Sequence, residues 1–144
     1  MLIGACESAV VSNSRFQARD CYWQATLEED RLSLEQQLEL YTSAAALNPF
    51  IGEPHLMIAQ LHFRQRRYAE AAGHAKAALD RFFVLATAWD KRRSFVAWIA
   101  FARMLLMRAN RLGDGLPDMP YDMEMPRSSG GMNLVPIRDM IADF

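Results

Sequence analysis

The chain has 144 residues, 51% of them hydrophobic and 23% charged, with a formal net charge of −1. That length supports one compact domain with its own core. The balance argues against disorder throughout, and the lack of an overall basic field argues against non-specific nucleic-acid binding. No run of about eighteen apolar residues occurs, so no membrane span is expected.

Cys6 and Cys21 have no CxxC and no second pair beside them, and read as free thiols of a reducing compartment. Glu7 interrupts the apolar start and no basic n-region precedes it, so a secretory leader is not expected. Cytoplasmic residence is the expectation, with an organellar address as the alternative because the stretch before Asp20 is poor in acids. Nine Met point to adaptable packing or a soft binding surface.

In chain order, residues 1–17 mix Gly, Ser and Asn with small apolar residues and read as an irregular lead-in, or as a cut inside something longer. Ala18 to about Glu29 favours a helix whose buried side is supplied by Cys21, Trp23, Ala25 and Leu27. Ser33 then stands as an N-cap with Gln36 as its capping-box partner, and Leu34, Leu38, Tyr41 and Ala45 form an amphipathic stripe that Asn48-Pro49 ends. A third helix is predicted from Pro54 to Arg66, with Pro54 in the first turn where a missing N–H costs nothing. Its apolar positions are Met57, Ile58, Leu61 and Phe63. After a basic turn, Ala69 to Phe82 makes an alanine-rich helix that lets a neighbour approach closely. Phe95 opens a long helix that is apolar on more than one side. Residues 113–144 form an acidic tail rich in Gly and Pro, closing on LVPIRDMIADF, which can form a short amphipathic helix.

With Gly52 as the first residue of a 34-residue unit, small residues fall at Ala59, Ala71 and Ala78 and an aromatic at Tyr68. This pattern resembles the tetratricopeptide (TPR) repeat. His55, His62, Ala75 and Phe83 depart from it. One period earlier, Ala25, Ala44, Pro49 and Tyr41 match, while Glu28, Leu34 and Gln37 depart. One period later Trp89 matches, but Arg92 and Arg93 fall where a Leu and a small residue pack, so the register fails at DKRRS.

The resemblance implies an all-α fold over residues 18–112: a short right-handed stack of helical hairpins with a C-terminal capping helix. It also implies a non-catalytic interaction module. The inner face of such a stack is lined here by Glu53, Leu56, Gln60, Phe63 and Arg64. Leu56 and Phe63 make it apolar, which suits an apolar peptide or helix and not the Lys, Asn and Arg clamp that captures a terminal carboxylate in some family members. Tyr68 and Trp89 extend the groove, and Arg64, Arg66 and Arg67 with the basic corner Lys91, Arg92 and Arg93 orient the partner. A protein, a peptide or a second copy of the chain would cover the ends of so short a solenoid. The run WDKRRSFVAWIAFARMLLMRA followed by GMNLV also resembles the helical tail of some plant and algal proteins bearing a metal-dependent HD-type domain. That family's metal ligands are missing here, so the alternative reading is a regulatory or accessory domain of a larger enzyme.

Charge is segregated: five acids face Arg31 between Glu28 and Glu39, and seven basic residues face Asp90 between Arg81 and Arg111. Solvated helix faces explain this, and a polarised docking surface, or a basic corner meeting the acidic tail in cis, would use it. His55 and His62 share a helix face, with His74 on the next helix. Without an acid at ligand spacing they read as packing or surface histidines, and no metal or cofactor is expected. No nucleophile, phosphate loop or catalytic acid pair is recognisable, so no enzyme activity is expected.

Overall fold

A computed structural model of the chain describes residues 16–119, and every regular element among them is an α-helix. In order these are α1 (residues 16–27), α2 (Leu34–Leu47), α3 (Glu53–Arg64), α4 (Tyr68–Leu85) and α5 (Phe95–Gly113). They form two compact units whose boundary falls between Phe50 and Ile51. The lead-in up to residue 15, with Cys6, and the tail from residue 120, with its expected terminal helix, lie outside the described residues.

The first unit is the hairpin of α1 and α2. Ser33 caps α2 in a full capping box: its hydroxyl accepts from the Gln36 amide at 3.1 Å, and the Gln36 side chain accepts from the Ser33 amide at 2.9 Å. The buried face differs from the expected stripe. Gln37, Tyr41 and Ala44 point inward, while Leu34 is exposed and Leu38 and Ala45 are half-buried. Gln37 can be buried because its amide nitrogen donates to the carbonyls of Glu29 and Leu32, each at 3.2 Å, and so satisfies the turn that ends α1. On α1 the inward residues are Ala18, Tyr22 and Ala25; Leu27 is 74% exposed, and Cys21 and Trp23 are half-buried. Tyr22 meets Tyr41 edge-on at 5.8 Å, and the Tyr41 hydroxyl lies 3.0 Å from that of Thr26.

In the second unit α4 packs against both α3 and α5, and α3 touches α5 less. The core joins Leu56 and Ala59 of α3, Ala75, Ala78, Leu79 and Phe82 of α4, and Trp98, Phe101, Ala102 and Leu105 of α5. Alanines thin α4 on the side facing α3, and at Gly52 the backbones approach closely: a Cβ there would sit 2.8 Å from the Ala78 carbonyl oxygen and 3.0 Å from the Phe82 ring.

The turn from α3 to α4 is a Schellman motif. Arg66 takes a left-handed conformation (φ 61°), its amide donates to the Phe63 carbonyl, and the Arg67 amide donates to that of His62 at 2.9 Å. The same motif ends α5, with Gly115 at φ 78° and the Leu116 amide donating to Arg111 at 2.9 Å. Helix α4 runs three residues beyond the predicted Phe82, to a left-handed Ala86. Helix α5 begins where predicted and is capped by Ser94, whose hydroxyl accepts from Ala97 at 3.1 Å.

Candidate functional site

The expected interaction residues all lie on the second unit, but at different depths. Glu53, at the start of α3, is 1% exposed, and its carboxylate accepts the backbone N–H of Asp90 in the loop between α4 and α5. Burial raises its pKa, and hydrogen bonds from the amides of Asp90, Trp89 and Glu53 itself pull it partly back. Leu56 is fully buried in the core. These two positions, expected on an open inner face, are instead structural. Gln60 and Phe63 are half-buried, and Arg64 and Arg67 are exposed. Phe63 packs against the core and meets Tyr68 edge-on at 5.3 Å across the turn.

The basic corner is largely engaged within the loop that carries it. Asp90 is buried, and Arg92 grips its carboxylate through Nε at 3.0 Å and Nη2 at 2.7 Å. The Asp90 carbonyl accepts the Trp98 indole N–H at 2.9 Å, and Arg93 lies over the Trp98 ring at 6.0 Å. Lys91 is exposed and donates to the Thr87 hydroxyl at 2.9 Å, while Trp89 is half-buried. Asp90 is therefore the organiser of this loop, and hydropathy gave no sign of it.

The three histidines meet between α3 and α4. His55 Nδ1 and His74 Nδ1 are 3.3 Å apart, and the His62 ring lies nearly parallel to that of His74, with centroids 5.6 Å apart. A head-to-head imidazole contact at this distance is an N–H···N hydrogen bond, in which one ring carries the proton and the other accepts it. Burial lowers all three pKa values, that of His55 to about 4; Arg81 adds to the effect at His55 and His74, and Arg67 at His62, where Glu70 opposes it. Among the described residues no group of three His, Cys, Asp or Glu is placed to hold a metal ion.

Several exposed apolar side chains had no place in the expected site. Phe83, Val84 and Leu85 close α4 and Val96 lies in the first turn of α5; Val84 is 77% exposed, and the Arg103 guanidinium lies 5.9 Å from the Phe83 ring. Near the other end of α5, Arg108 is buried and binds Asp118 through two nitrogens, at 2.8 and 2.5 Å. The described start of the acidic tail thus meets a basic group in cis, on α5 instead of at residues 91 to 93.

Among the described residues the fold is all-helical, with no helix long and apolar enough to cross a membrane. Compared with known proteins, it matches no family model, no curated protein and no solved structure.

Proposed function

We propose that the chain is a non-catalytic protein–protein interaction module, a TPR-like stack of helical hairpins that binds an apolar peptide or helix as a subunit or fragment of a larger assembly. The observation that carries this reading is the run of exposed apolar residues that ends α4, Phe83, Val84 and Leu85, with Arg103 of α5 against Phe83. Exposed apolar side chains grouped in this way mark association surfaces more often than chance exposure. The repeat reading is supported by the small-residue positions: Ala25, Ala44, Ala59, Ala71 and Ala78 are all fully buried. Phe63 and Gln60 on α3, with exposed Arg64 and Arg67, would contribute the α3 side of the contact, and Lys91 and Trp89 the loop side; Arg92 and Arg93 would act by shaping that loop.

Affinity capture with the full chain from its native cell tests the proposal, run in parallel with Phe63→Ala and with the pair Arg64→Glu and Arg67→Glu. A partner recovered by the wild type and depleted at least about tenfold by the variants is the expected result, the size of loss typical of one interface hot spot. A wild-type chain that stays monomeric, recovers no partner and is unaffected by Phe63→Ala would overturn it.

A further inference from the structure

The contact between Arg108 and Asp118 has features of a binding site filled by the chain's own tail. Arg108 is only 7% exposed, yet it spends its buried guanidinium on a carboxylate that is 38% exposed and stands outside any helix. The fork is well formed: Nε donates to Oδ1 at 2.8 Å and Nη2 to Oδ2 at 2.5 Å. The third nitrogen, Nη1, is buried with no hydrogen-bond partner. A buried guanidinium nitrogen left unpaired is costly, and an occupant with one more acceptor would satisfy it.

Further contacts surround the guanidinium. The Arg108 guanidinium lies over the Phe63 ring, 5.6 Å from its centre, a cation–π contact. One turn further along α5, Arg111 Nε donates to the Pro117 carbonyl at 3.0 Å, so the segment is held at two points, a carboxylate and the backbone carbonyl just before it. Left-handed Gly115 turns the chain back to reach them. Beyond that turn, the Met119 amide donates to Asp118 itself, at 2.7 Å. The Arg108 guanidinium holds the Asp118 carboxyl below the usual carboxylate range, so the occupant is charged at neutral pH.

We infer that Arg108 and Arg111 form a receptor for an acidic side chain on an extended segment of a partner protein, and that Leu116-Pro117-Asp118 occupies this receptor in cis as an internal mimic. Binding of the partner displaces Asp118, and the unpaired Nη1 gives a partner acceptor a contact that the mimic leaves unmade. This rests on the reading of the chain as an interaction module, and it names a partner chemistry and a site on α5 that the reading does not contain.

The test uses the purified full chain and a fluorescent peptide of residues 114–124, DGLPDMPYDME, followed by anisotropy. A mimic tethered by a few residues competes at an effective concentration in the millimolar range, so Asp118→Ala in the protein should tighten peptide binding by about tenfold or more. The same peptide with Asn in place of Asp118 should bind Asp118→Ala protein at least about tenfold more weakly, and Arg108→Lys, which keeps the charge but loses the fork, should also weaken binding. Circular dichroism checks that each variant is folded; if Arg108→Lys is not, the Asn peptide alone decides. Equal binding to wild type and Asp118→Ala, or indifference to Asn in the peptide, overturns the inference. Because it uses a defined peptide, this result can fail while native partner capture succeeds, or succeed while capture fails.

Discussion

Glu53 is a buried acid whose value to the fold is the backbone N–H it accepts from Asp90. Glu53→Ala leaves that donor buried and unpaired and should cost about 1–3 kcal/mol in urea denaturation, whereas Glu53→Gln keeps an acceptor oxygen and should cost less. The histidines predict a pH dependence. Their folded pKa values lie below the free value of 6.5, so the stability they contribute is full above that pH and is lost as pH falls toward the folded values, about 4 for His55. Glu53 works in the opposite sense, because its raised pKa makes its contribution fullest in acid and lost as pH rises. Measured in a Glu53→Gln background, the denaturation midpoint should therefore fall on acidification from about pH 7 to about pH 5. The further change His74→Gln should flatten that slope; a midpoint constant over the range without it would contradict the linkage. The sequence placed His55 and His62 on one helix face as packing or surface residues. It had no means of showing that His74 lies between them, because that pairing is made across two helices. Glu53 and Asp90 were hidden for a similar reason: an acid reads as surface until the amide it accepts, 37 positions away, is in place.

At the scale of elements, helix starts were legible and buried faces less so. Ser33 with Gln36 announces α2, and Pro54 sits in the first turn of α3, because caps are local chemistry. The inward face of α2 was misplaced because Gln37, a polar residue, is buried by bonds to another segment, and no hydropathy pattern encodes such a bond. The end of α4 was set three residues short because its stop is an alanine in a left-handed conformation, which has no residue signature. The close approach of α3 to α4 at Gly52 yields a sharper test. Gly52→Ala sets a methyl group against the Ala78 carbonyl, which belongs to helix backbone and cannot swing aside, and should destabilise the chain by about 1–3 kcal/mol in thermal or urea unfolding. An unchanged midpoint would mean that the helices can separate at no cost.

At the scale of the molecule, helical periodicity and the repeat resemblance pointed to the all-helical architecture that the described residues have, but not to which apolar residues are left outside. The sequence reading ended α4 at Phe82 and so assigned Phe83 and Leu85 to no helix face, and only the packing of α4 shows them exposed, outside the core. Since Val84 is largely exposed and lies outside the core cluster, Val84→Asp should leave stability within about 0.5 kcal/mol of the wild type while lowering self-association or partner recovery in light scattering and capture. Loss of stability beyond that would place Val84 in the core after all. The acidic tail was legible as a composition, but its first anchor was not, because Arg108 reads as one more base on a helix until its burial is seen.

The arrangement of the second unit, with α4 between its two neighbours in sequence, also bears on how fast it folds. Each main helix contact joins segments adjacent in the chain, so little loop entropy is lost before a contact forms, and folding on the microsecond to millisecond scale is expected of such a topology. α3 and α4 can associate as soon as both have left the ribosome, without waiting for α5. The bond from Asp90 to Glu53 spans far more chain than the turns do, and so belongs to the final closure.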